Sequence, residues 1–150
     1  MTTSTAEADS CYESQTNPTP SKILYVDDDS DDCIFLMESF AASPLNTDLV
    51  CASNGEEAIQ YLNAEKDTLP SLIILDLNMP RKDGKQTLRD LKADPQFAGI
   101  PVVILSTSRN KIDKDVCTKL GAVSYLEKPF HYEGYKDVVN NCIPLIKHIE

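Results

Sequence analysis

Four short apolar runs of this chain each end in residues able to do chemistry. Lys22 to Val26 leads into Asp27-Asp28-Asp29, Ser71 to Leu75 into Asp76, Pro101 to Leu105 into Ser106-Thr107, and Val123 to Leu126 into Glu127-Lys128-Pro129. Singly, most have ordinary explanations. The acids from Asp27 to Asp32 suit a solvated turn that caps a helix, Ser106 suits a second cap, and an isolated lysine such as Lys128 is more often exposed. Asp76 is harder to dismiss, because it directly follows Leu72-Ile73-Ile74-Leu75. A carboxylate that ends a strand buried on both faces costs several kcal/mol if charged and unpaired.

Brought to one place, these groups have a definite chemistry. Clustered carboxylates repel one another and raise at least one pKa unless a cation sits among them. The candidate ligands are all oxygens, with no Cys or His in the cluster, so the cation they suit is hard. A site with few protein ligands that keeps its waters fits Mg²⁺, with Mn²⁺ as the alternative. A lysine and a hydroxyl on the same rim can neutralise and hydrogen-bond the oxygens of a phosphoryl group, and a carboxylate can accept that group as an acyl phosphate.

The elements needed to position such a cluster follow from the periodicity. Five short runs, Lys22 to Val26, Leu49 to Ala52, Ser71 to Leu75, Pro101 to Leu105 and Val123 to Leu126, alternate with segments of helical period, the pattern of a parallel sheet covered by helices. Cys33, Ile34, Leu36, Met37, Phe40 and Ala41 predict the apolar face of the first helix. The second opens at Asn54, with Glu57 at capping-box spacing, and turns Ala58, Ile59 and Leu62 inward. Gly84 to Ala93 and Ile112 to Leu120 supply two more, the latter stopped by Gly121. A last helix starts at about Tyr132 and is broken at Pro144. In an open parallel sheet, ligands bind beyond the carboxyl ends of the strands, where the strand order reverses. All the reactive groups lie at such ends.

Length and charge bound the rest. The 150 residues suit one core. With 14 basic and 24 acidic side chains the net charge is −10, the wrong sign for direct nucleic-acid binding. No apolar run reaches the roughly 18 residues of a membrane span, and a cytoplasmic protein is expected. Residues 1–21 read as a flexible tail rich in Ser, Thr and Pro, and 22–150 as the folded domain. Five cysteines, Cys11, Cys33, Cys51, Cys117 and Cys142, form no CxxC pair and are expected as reduced thiols, with Cys11 the most exposed. His131 and His148 are isolated and read as surface residues.

Four segments together carry a resemblance: Ile23-Leu24-Tyr25-Val26-Asp27-Asp28-Asp29, Leu72 to Pro80 with Asp83-Gly84, Val103-Ile104-Leu105-Ser106-Thr107-Ser108, and Lys128-Pro129. In this order and at these intervals the chain resembles the receiver domains of two-component response regulators over about residues 22 to 143. The resemblance implies a flavodoxin-like, doubly wound α/β fold with a five-stranded parallel sheet of order 2-1-3-4-5 and helices on both faces. It implies Asp76 as phosphoacceptor and a metal site of Asp27, Asp28, Asp76 and the backbone carbonyl of Asn78. Lys128 and Thr107 would meet the phosphoryl group, Ser106 would be the switch hydroxyl and Tyr125 the switch aromatic, and Pro129 would follow a cis peptide. Thr107, at a position often small, and Asp29, an added charge, depart from the pattern.

Such a domain is a switch that phosphorylates and dephosphorylates itself, not an enzyme acting on a separate substrate. The implied partners are a sensor histidine kinase or a phosphotransfer protein, and a target met by the surface of the fourth helix, fifth strand and last helix. The Leu105-Ser106-Thr107-Ser108 run is similar to small free-standing receivers that serve phytochrome-type or hybrid kinases. Phe130, Tyr132 and Tyr135 are candidates for a contact patch or a homodimer interface. Three rivals remain. A haloacid-dehalogenase-type phosphohydrolase would use Asp27 as nucleophile. A calcium loop would use Asp27, Asp29, Asp31 and Glu38, although Asp32 stands where that loop requires Gly. A receiver-like binding module would signal without phosphate.

Overall fold

The computed structural model describes residues 19–79 and 82–146. Cys11, Pro80, His148 and most of the expected tail lie outside them. Five strands, β1 (Ser21–Val26), β2 (Thr47–Ala52), β3 (Leu72–Leu75), β4 (Val102–Ser106) and β5 (Ser124–Glu127), pair in parallel in the order β2-β1-β3-β4-β5. Four helices connect them, α1 (Ser30–Ala41), α2 (Gly55–Ala64), α3 (Gly84–Ala93) and α4 (Lys111–Leu120), and a fifth, α5 (Tyr135–Cys142), follows β5. The architecture is the doubly wound one read from the sequence.

Alternation along the strands builds two apolar layers. Leu24, Val26, Ile73, Leu75, Val102 and Ile104 face one side, with Ala58 and Leu62 of α2, Leu88 and Leu91 of α3 and Cys117 of α4. Ile23, Tyr25, Leu72, Ile74, Val103 and Leu105 face the other, with Leu36 and Phe40 of α1 and Val138 and Cys142 of α5. Because both faces are covered, β3 reads as an unbroken apolar run.

Local signals hold at several ends. The Asn54 side chain accepts from the Glu57 amide at 2.9 Å, while Glu57 reaches back to the Ser53 amide at 2.8 Å. Gly121 ends α4 at φ 112°, in the left-handed region. The chain leaves α5 for a short 3-10 turn, Ile143–Leu145, around Pro144.

Four expectations are corrected. Of the expected face of α1, Leu36 and Phe40 are buried, but Ile34, Met37 and Ala41 are exposed, because the inward stripe is the narrower one through Leu36, Ser39 and Phe40; an apolar series too wide for one contact cannot all be buried. The last helix is preceded by a 3-10 turn, Tyr132–Gly134, and becomes α-helical only at Tyr135. No cis peptide occurs among the described residues, so the Lys128–Pro129 bond is trans, the form an X–Pro bond prefers by about 0.5–1 kcal/mol without opposing contacts. Cys33 and Cys51 form a disulfide and are not reduced thiols. Helix α1 lies against β2, which brings their Cα atoms to 6.5 Å, within bridging range.

Candidate functional site

The sheet order makes β1 and β3 neighbours, with Val26 in register with Leu75. The ladder runs one residue further, the Asp76 amide donating to the Val26 carbonyl at 2.9 Å and the Asp27 amide to Ala52 at 3.0 Å. Asp27 and Asp76 thus emerge side by side, both buried, with Asp28 exposed above them. One carboxylate oxygen from each of the three lies within 4.8 Å of the others.

Lys128 enters this group from β5. Its amide donates to the Ser106 carbonyl at 2.8 Å, which anchors the stem. Its ammonium lies 2.7 Å from Asp27 Oδ2, 2.9 Å from Asp32 Oδ2 and 3.6 Å from Asp76 Oδ2. Asp27 also accepts from the Tyr25 hydroxyl and, at 3.0 Å, from the Asp29 amide. Asp32 accepts from the Tyr135 hydroxyl at 2.8 Å. The Asn78 amide points to Asp76 Oδ1 at 3.4 Å, and Asn78 itself is exposed.

The electrostatics follow from burial. Loss of hydration, then the nearby charge of Asp27, raises the Asp76 carboxyl to about 7, with Lys128 pulling the other way. Burial works against the Lys128 ammonium, but its hydrogen bonds to Asp27 and Asp32 outweigh it and hold the pKa above the ordinary lysine range. Burial and an adjacent carboxylate push the Tyr25 and Tyr135 phenols up, so both stay protonated donors. One ammonium therefore serves three carboxylates. The oxygens of Asp27, Asp28 and Asp76 fit a hard divalent cation by donor chemistry, and such an ion would remove the repulsion that raises Asp76.

Ser106 is buried at the end of β4, on the same rim, and its Oγ accepts from the Ser108 amide at 3.1 Å. Thr107 is exposed. Tyr125 is half-buried in β5, and its hydroxyl donates to the Ser108 carbonyl at 2.9 Å. Ser108 also donates through Oγ to Asp113 at 2.7 Å, and Asp113 pairs with Lys85 of α3. Behind Asp76, α3 starts so close that a Cβ on Gly84 would fall 2.3 Å from the Asp76 carbonyl oxygen.

The structure brings together Asp27, Asp28, Asp76 and Lys128 among the expected residues, with Ser106 joined through the Lys128 backbone. Sequence reasoning missed Asp32, Tyr25 and Tyr135. Asp32 sits in the first turn of α1, where acids are favoured by the helix dipole alone, so nothing in its position marked a partner 96 residues away. The calcium loop is not formed: Asp29 caps α1, accepting from the Asp31 and Asp32 amides. Glu127 turns away to pair with Arg109.

Comparison with known proteins agrees with this geometry. The family model for the response regulator receiver domain matches residues 23–140. Response regulator Rcp1 of Synechocystis sp. is 36% identical over 118 residues, covering 76% of this chain and 80% of Rcp1. The phosphorylated cyanobacterial phytochrome response regulator RcpA superposes with a TM-score of 0.76 at 35% identity, over 82% of this chain and 91% of that one. The Mn²⁺-bound form of Rcp1 gives 0.74 at 31% identity, over the same shares. Motif order, sheet topology and matched length lead to one conclusion: this chain is a member of the response regulator receiver domain family.

Proposed function

We propose that the chain is a stand-alone response regulator whose Asp76 accepts a phosphoryl group from a sensor histidine kinase or a phosphotransfer protein. The observation that carries this reading is the buried Asp76 at the end of β3, with Asp27 and Asp28 oxygens within 4.8 Å and the Lys128 ammonium at 3.6 Å. An Asp76 oxygen attacks phosphorus in line, the phosphorus–nitrogen bond of a phosphohistidine breaks, and its electron pair leaves on the imidazole. Asp27, Asp28, Asp76 and the Asn78 carbonyl would hold Mg²⁺, which supplies charge neutralisation to the transferring group; the Mn²⁺ in the Rcp1 structure supports a divalent ion of this class. Lys128, Ser106 and Thr107 would contact the phosphoryl oxygens. Tyr125, joined to the β4–α4 loop at Ser108, would carry the change to the surface of α4, β5 and α5. A cytoplasmic location and a phytochrome-type kinase are part of this reading, the latter supported by the likeness to the cyanobacterial phytochrome response regulator RcpA.

The test is treatment with acetyl phosphate and Mg²⁺, followed by mapping of the modified residue. One phosphoryl group on Asp76, absent from Asp76→Asn, is expected. Modification of Asp27 would instead mark a dehalogenase-like hydrolase, and unchanged partner affinity in Asp76→Asn a phosphate-independent module. Tyr125→Ala is expected to load phosphate normally and to lose phosphate-dependent partner binding.

A further inference from the structure

Cys33 of α1 and Cys51 of β2 are joined through their sulfurs. Each end of this bridge is one residue removed from a carboxylate that holds Lys128, Cys33 from Asp32 along α1 and Cys51 from Asp27 through Tyr25. Cys33 directly follows Asp32, whose carboxylate takes the Lys128 ammonium and the Tyr135 hydroxyl. Cys51 is in register with Tyr25, whose hydroxyl donates to Asp27. The bridge is also reachable, because β2 is the outermost strand, Cys51 is exposed and Cys33 half-buried. Cys117 and Cys142 are buried, and burial raises both thiols, that of Cys142 to about 12, which leaves them poor nucleophiles.

We propose that Cys33–Cys51 is a reversible thiol–disulfide site, opened by a dithiol reductant, and that its opening loosens the hold of Asp32 on Lys128 and speeds phosphorylation of Asp76. The second half rests on Asp76 being the phosphoacceptor. In the exchange, a reductant thiolate attacks Cys51 Sγ, the sulfur–sulfur bond breaks, and its electron pair leaves on Cys33 Sγ, which takes a proton. The second reductant thiol then attacks the reductant's own sulfur in the mixed disulfide and releases Cys51, which takes the second proton. Two electrons and two protons pass to the protein, and the reductant leaves as a disulfide.

The direction follows from the distances. With the bridge closed, the first turn of α1 is pinned to β2, and the Lys128 ammonium stands nearer Asp27 and Asp32, at 2.7 and 2.9 Å, than Asp76, at 3.6 Å. Opening lets that turn move, and the ammonium becomes freer to follow the charge arriving on Asp76.

The experiment compares the full-length protein after diamide with the same protein after dithiothreitol. Peptide mapping is expected to find Cys33 linked to Cys51, the link opening with a gain of two hydrogens. Amide hydrogen exchange in residues 29–36 and 128–135 should rise on reduction, and the rate of Asp76 loading by acetyl phosphate should rise several-fold. Cys33→Ser/Cys51→Ser should match the reduced protein under both treatments. Cross-links of either cysteine to Cys11 in place of this pair, or equal exchange and equal loading in the two states, would overturn the proposal. If Asp76 loads in neither state, the phosphoacceptor reading and the rate effect fail together, while the exchange comparison still decides whether the bridge reaches the site.

Discussion

At the scale of single residues, Asp76 works against the fold it belongs to. Its carboxyl titrates at about 7 in the folded state, well above the ordinary range, so between about pH 4 and pH 7 the folded chain holds a proton that the unfolded chain has released. Stability is therefore full below that window and falls as pH rises through it. Asp76→Asn should stabilise the metal-free protein by about 1–3 kcal/mol at pH 8, and by far less near pH 5. Urea midpoints at the two pH values without divalent ions read this directly, and Mg²⁺ should narrow the gap by stabilising the parent, which keeps all its carboxylate ligands, more than the variant. Lys128 tests the complementary charge. With its ammonium 2.7 Å from Asp27, it competes with any cation for the same oxygens, so Lys128→Ala should bind Mn²⁺ more tightly, by roughly tenfold. That variant should also load phosphate more slowly, and tryptic mapping with timed quenching gives the rate.

Among the elements, α3 is closely constrained, because its first turn presses on the strand end that carries Asp76. A methyl at Gly84 would meet the Asp76 carbonyl and the Leu77 Cα, both backbone. Gly84→Ala should cost about 2–4 kcal/mol and slow phosphate loading as well, since either α3 or Asp76 must move. Gly121→Ala is the control. There the cost is the left-handed φ of 112°, at the end of α4, so about 1 kcal/mol should be lost with no change in loading. Denaturant midpoints and loading rates of the two variants separate a close approach from a backbone preference.

For the whole molecule, the disulfide between α1 and β2 is a constraint on the unfolded chain as much as on the folded one. It closes a loop with a sequence separation of 18, which corresponds to about 3 kcal/mol of chain entropy. Dithiothreitol should lower the urea midpoint accordingly, and the double serine variant should no longer respond. No helix among the described residues is long and apolar enough to cross a membrane.

Periodicity and run endings are local properties, and the sequence by itself determined what depends on them. The five strands, their order of appearance, the cap at Asn54, the stop at Gly121, the break at Pro144 and the reactive groups at the strand ends were legible without coordinates. Tertiary structure decided which of those groups share a charge. Whether Lys128 serves Asp76 alone or also Asp32, which stripe of α1 turns inward, and that Cys33 meets Cys51 depend on how elements distant along the chain come to lie side by side. A side chain's own neighbours in sequence carry no record of a partner 96 residues away; only the packing of α1 and β5 on the same sheet creates it.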